Sequence, residues 1–129
     1  MMFTEQKVTI YNKYTSNNET RWHRQILIVT LRNGSSTANN GNSVITDYNG
    51  LARVYDTKDY VEEKDYVGEG WTCRSGDIIV NFPTDYEIIT DAPINELRGE
   101  FGARNVYSIS SYDDYRKGTN LDHIKIGLI

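Results

Sequence analysis

The run RWHRQILIVTLRN, Arg21 to Asn33, constrains the fold of this chain more than any other stretch. It is too rich in β-branched residues to favour a helix and long enough to cross a domain from edge to edge. If extended, it places Trp22, Arg24 and Ile26 on one face and His23, Gln25 and Leu27 on the other. Its second half, Ile26 to Val29, is apolar on both faces, as expected of a strand crossing the interior of a closed barrel or a sandwich.

Other segments repeat the signal. KVTIYNKY (Lys7 to Tyr14) reads as a strand, and TSNNE after it supplies turn chemistry through Asn and Ser side chains. VITDY and LARVYD flank Asn49-Gly50, a dipeptide that predicts a hairpin. DIIVNF reads as a buried strand entered through the RSGD turn and ended by Pro83, and TDYEIIT as a further extended piece. NVYSISSY and DHIKIGLI supply two more strands, joined by the polar DDYRKGTN.

Only one helix start is clear, in TDAPINELRGEFG. Asp91 suits the N-cap, Pro93 the first turn, and Ile94, Leu97 and Phe101 recur at helical spacing, with Gly99 or Gly102 as the stop. TKDYVEEKDYV adds a helical turn or two, capped by Asp56 or Thr57. The tract from Asn33 to Ser43 is polar, carries Gly34 and Gly41, and reads as a long surface loop. Many short strands with one or two short helices predict a mainly β fold, a small single-domain barrel or sandwich spanning residues 1–129.

Composition narrows the function. The hydrophobic fraction is 38%, whether the ten tyrosines or the ten glycines are counted, below the roughly 45–50% of an average soluble domain. Tyrosine rings must therefore help to fill the core. A net charge of −4 offers no broad footprint for phosphate backbones, so nucleic acid is at most an incidental partner. A single cysteine cannot form an internal disulfide, and no basic segment followed by a long apolar stretch opens the chain as a signal peptide would. The longest apolar run is far short of the ~20 residues of a membrane-spanning helix, and no membrane association is expected.

Chemistry finds little support. Cys73 in WTCRSGD has Arg74 beside it but no histidine nearby to generate a thiolate, and reads as a packing residue. His23 and His123 lie near opposite ends of the sequence; meeting across a sheet, with Asp113 and Asp114, they would build a metal site, yet no local ligand spacing supports one. Asp77 and Asp91 are better explained by turn and cap roles than by acid–base catalysis. The glycines of the polar tract match neither a P-loop nor a dinucleotide fingerprint. No enzyme activity, metal or cofactor is expected.

Tyrosine is the one enrichment. Tyr48, Tyr55, Tyr60, Tyr66, Tyr112 and Tyr115 sit beside turns or strand ends, where rigid amphipathic rings suit contact with a partner as well as a core.

The order of the pieces adds a resemblance. VTIYNKY near the start, the Arg-Trp-His segment, GWTCRSGDIIV at mid-chain, a helix from Pro93 and DHIKIGLI at the end resemble the small minor capsid or head–tail connection proteins of prophages in Gram-positive bacteria. The signature positions are Trp71, Gly76, Asp77, Ile78, Ile79, Val80 and His123. Two features depart from the pattern: Ile124 follows the final histidine where an aromatic is expected, and the Asn33 to Ser43 tract has no counterpart. The resemblance implies a structural protein of the virion, assembled in the bacterial cytoplasm, that contacts other head or tail morphogenesis proteins and forms a homo-oligomeric ring on assembly. It carries no catalytic residues; Gly76 and Asp77 would turn the chain and Ile78 to Val80 would be core. The competing expectation is a free cytoplasmic barrel that binds a glycan, peptide or oligonucleotide through clustered tyrosines or Trp22 and Trp71.

Overall fold

Two asparagines set the frame. In the computed structural model, which describes residues 4–33, 50–116 and 122–129, Asn17 and Asn18 both take positive φ, 54° and 65°. That is the signature of a two-residue type I′ turn, whose twist matches the strands it joins. Asparagine tolerates this region better than other residues with a Cβ. The turn connects β1 (Thr4–Ser16) to β2 (Glu19–Asn33), in register from Ser16 opposite Glu19 to Thr4 opposite Leu31.

The long hairpin is one wall of a closed antiparallel barrel. With β3 (Gly50–Val54), β4 (Ile78–Val80), β5 (Val106–Asp114) and β6 (Ile124–Leu128), the strand order is β1-β2-β3-β6-β5-β4. The fold is thus mainly β, and a barrel rather than a sandwich. Closure uses only short stretches of the hairpin: β4 pairs with Thr9 to Tyr11 of β1, and β3 with Thr30 to Asn33 of β2. A register shift between Ile109 and Ser111 bends β5 around β6. Gly50 is not the second residue of a hairpin turn. It is the first residue of β3, in register with Asn33 and Leu128, while Val44 to Asn49 lie outside the described residues, as does the tract from Gly34 to Ser43.

Apolar side chains sort into two cores. Val8, Ile10, Leu27, Val29, Ala52, Val54, Trp71, Cys73, Ile79, Ile109, Ile124, Ile126 and Leu128 fill the barrel. Tyr11, Ile78, Val80, Leu97 and Val106 form an outer core beneath α1 (Pro93–Phe101), with Trp22, Phe82, Tyr86, Ile88, Ile94 and Phe101 against it. Successive strand residues point to opposite faces. Ile79 therefore enters the barrel while Ile78 and Val80 lie under the helix, and all three are buried.

The second half of β2 departs from expectation. Leu27 and Val29 face the barrel, but Ile26 and Ile28 are 49% and 47% exposed. The reason is local: the helical layer that covers Ile78 and Val80 does not reach them. An apolar run on both faces of a strand shows that both faces could be buried, not that both are.

Smaller corrections concern helix ends. The N-cap of α1 is Ala92, not Asp91, and its side chain caps nothing. Glu96 instead gathers the preceding loop, accepting hydrogen bonds from the Ile89 and Thr90 backbone N–H groups, the Thr90 hydroxyl and the Tyr86 hydroxyl. Gly102, at φ 94°, ends the helix, and Gly99 lies within it. The acidic stretch around Glu63 forms a single 3-10 turn, Glu63–Asp65, after Glu62; neither Asp56 nor Thr57 caps a helix. Thr84 to Thr90 are outside every strand.

Candidate interaction surfaces

A polar tie holds the loop from Thr57 to Asp77 against the barrel. Along β1, Val8 and Ile10 face inward, and Asn12 is the next inward residue, fully buried. Its Nδ2 donates to the Thr72 carbonyl and to Asp77 Oδ2, both at 2.8 Å, and its Oδ1 accepts the Thr72 N–H at 3.1 Å. The amide thus pairs with a peptide group as a strand neighbour would. Asp77, 1% exposed, also accepts the Lys13 N–H and lies 3.5 Å from Arg74 Nε, while an Arg74 Nη2 group donates to the Lys13 carbonyl. Burial pushes the Asp77 carboxyl above its ordinary range, and Asn12, Arg74 and the Lys13 N–H pull the other way.

The signature positions are thereby placed. Gly76, at φ 95°, makes the turn into β4, and Asp77 is a buried tie as well as a turn residue. Trp71 and Cys73 are in the barrel core; burial, then Asp77 and Asp114, push the Cys73 thiol up and away from reactivity. Gly70, at φ 74°, is fixed by close approach, since a Cβ there would sit 2.3 Å from the Asp59 carbonyl.

Four of the six singled-out tyrosines gather at one end of the barrel with His123. The imidazole stacks on Tyr115, centroids 4.9 Å apart and planes inclined by 27°, with Tyr55 at 5.2 Å. Tyr55, Tyr112 and Tyr115 are 49%, 37% and 40% exposed. Tyr60 lies deeper, edge-on to Trp71 at 4.9 Å, and its ring carries the Arg116 guanidinium 4.6 Å above it. Arg116 is held there by Asp114, to which Nε and Nη2 donate at 2.8 and 2.7 Å. These bonds keep the Asp114 carboxyl below its usual range. Rings and guanidinium therefore form a continuous path from the core to the surface. Tyr66 is elsewhere, edge-on to Tyr14 near the β1–β2 turn, and Tyr48 lies outside the described residues.

A second surface follows the outer face of β2. Trp22, Arg24, Ile26, Pro83, Asp85 and Glu87 line an open groove of about 800 Å³, and Arg24 Nη1 donates to the Glu87 carboxylate across it. His23 is in register with Asn12 and lines the same groove, whereas His123 belongs to the aromatic end. Among the described residues no group of three or more His, Cys, Asp and Glu side chains is placed to hold a metal ion, and no helix is long and apolar enough to cross a membrane.

A family model described as a family of unknown function, DUF6751, matches residues 3–127. The chain belongs to this family. No curated protein and no solved structure matches it.

For this DUF6751 chain, sequence reasoning singled out the tyrosines and His123 but not that they meet, and it missed Arg116. Arg116 looked like part of a polar connection, and Asn12 like an ordinary strand residue. The signal for Asn12 was present: a polar side chain in phase with inward-facing Val8 and Ile10 has to find buried partners. Nothing in the sequence marked Ile26 and Ile28 as exposed.

Proposed function

We propose that this chain is a structural protein of a phage particle, a minor capsid or head–tail connection component that works through protein–protein contacts. The observation that carries this reading is the aromatic end. A closed barrel holds Tyr55, Tyr115 and His123 as a preformed, half-exposed stack, and rigid rings of this kind bring contact area at low entropic cost. The resemblance of GWTCRSGDIIV and the terminal DHIKIGLI to the prophage proteins supplies the phage setting. In a particle, copies would meet head-to-tail and close into a ring at the head–tail junction, with other morphogenesis proteins as neighbours.

The test is electron microscopy of particles from an induced prophage carrying this gene, intact or deleted. Filled heads accumulating apart from finished tails are expected on deletion, and Tyr55→Ala/Tyr115→Ala should reproduce part of that defect. Normal infectious particles without the gene would overturn the reading.

The groove favours a second reading. Its volume falls within the roughly 300–1,000 Å³ of small-ligand sites, which suits a binding module for a peptide or glycan. Trp22 lines it and Trp71 is buried, so a ligand there would change the fluorescence of Trp22 alone.

A further inference from the structure

The two-residue turn fixes which way every main-chain group of the hairpin points. Ser16 and Glu19 close the turn as a hydrogen-bonded pair, so Arg21, His23, Gln25, Leu27 and Val29 direct their N–H and C=O groups toward β1. Trp22, Arg24, Ile26 and Ile28 direct theirs the other way. The next residue in that phase, Thr30, is where pairing with β3 begins, opposite Arg53. Among the described residues, no strand and no loop main chain bonds Trp22, Arg24, Ile26 or Ile28 along this edge. The same stretch carries the exposed Ile26 and Ile28. An open edge beside exposed apolar side chains is a template for another strand.

We propose that the edge from Trp22 to Ile28 pairs with the same edge of a second copy of this chain, antiparallel across a two-fold axis at Gln25. The register follows from what is free. Centring at Gln25 sets Trp22 opposite Ile28 of the other copy and Arg24 opposite Ile26, using all four outward-directed residues of each. A two-fold at Ile26 would set Trp22 against Thr30, whose edge β3 already occupies. A two-fold at Arg24 would set the two guanidiniums face to face, which like charges disfavour. Only the Gln25 register matches apolar to apolar at its ends and keeps the two arginines apart. Each Arg24 also retains Glu87 of its own chain, so the pairing leaves no charge without a counterion. Self-pairing of this kind requires one self-complementary patch, and β2 supplies one. The proposal does not depend on the phage reading.

The experiment uses the full chain in solution. Sedimentation across roughly 1 µM to 1 mM should show a monomer–dimer equilibrium, and Ile26→Lys/Ile28→Lys should weaken it by roughly a hundredfold while circular dichroism stays unchanged. A second variant makes the register testable. In the Gln25 register the two Gln25 residues form a non-hydrogen-bonded pair, whose Cα separation of about 4.5 Å accepts a disulfide. Gln25→Cys should therefore cross-link on mild oxidation, and Lys7→Cys, exposed on the outer face of β1, should not. The sole native cysteine, Cys73, is buried in the barrel. A monomer at every concentration, a dimer indifferent to the lysines, or equal cross-linking at both positions would each overturn the proposal. A strand donated by a different protein would leave the purified chain monomeric and so count against it too.

Discussion

Where Thr9 to Lys13 run beside Trp22 to Ile26, the chain treats the two edges of the β1–β2 ribbon in opposite ways. On the β1 side, the outward main-chain groups of Thr9 and Tyr11 are in register with β4, and those of Lys13 are met by Asp77 and Arg74. A buried carboxylate and a guanidinium finish the edge where the strand partner runs out. On the β2 side, pairing starts only at Thr30, and Trp22 to Ile28 are left without a main-chain partner among the described residues. The difference teaches where the molecule ends and where a contact begins. An edge closed by the chain's own side chains belongs to stability; an edge left open beside exposed isoleucines belongs to association.

The comparison breaks most readily on the closed side. Asp77→Ala should strip partners from the Asn12 amide and the Lys13 N–H at once. A cost of about 3 kcal/mol is expected, a fall of roughly 10 °C in Tm by calorimetry. Asn12→Ala leaves Asp77 in place but unpairs the buried Thr72 peptide, for about 2 kcal/mol in urea unfolding. Either variant behaving like wild type would mean that the β1 edge is not held by this tie.

A smaller effect tests the outer layer, which folds over the ribbon and contributes Glu87 to the groove. Desolvation opposes ionisation of Glu96, but hydrogen bonds from Tyr86, Ile89 and Thr90 outweigh it and bring the carboxyl down to about 2. A carboxylate whose folded pKa is depressed contributes stability above its ordinary pKa and loses it as pH falls through the folded value. Glu96→Gln should therefore cost no more than about 1 kcal/mol at neutral pH, since solvent screens this site. The gap to wild type should close between pH 4.5 and about 2 in thermal melts taken across that range. A gap independent of pH would remove the ionised carboxylate from the account.

The smallest effect belongs to the open side. In dilute solution Ile26→Thr or Ile28→Thr should change stability by only about 0.5 kcal/mol, because half-exposed side chains outside both cores give up little burial. A loss comparable to that of Asn12→Ala would place these residues inside the fold and erase the contrast between the edges.

Much of the fold was legible in the sequence. β-branched runs gave the strands, Asn17-Asn18 the turn, and Ile94, Leu97 and Phe101 the helix, because each is a local pattern with a local cause. What stayed hidden depends on contacts distant in sequence. Asn12 meets Thr72 and Asp77 only because the loop folds under the barrel. Glu96 replaces Asp91 at the helix start because the preceding loop turns back toward it. Ile26 and Ile28 look like Ile78 and Val80 in sequence, and only the reach of the helical layer separates exposed from buried. The candidate site was half visible: tyrosine enrichment marked Tyr55, Tyr60, Tyr112 and Tyr115 and the resemblance marked His123, but nothing marked Arg116 or the stacking that joins them.

Residue-resolved amide exchange by NMR tests the contrast between the edges most directly. In dilute solution the Lys13 amide and those of His23, Gln25 and Leu27 should be protected, while those of Trp22, Arg24, Ile26 and Ile28 exchange quickly. Raising the concentration should slow that second set alone. Protection of all these amides alike at high dilution would show the β2 edge covered within a single chain, and the contrast would fall.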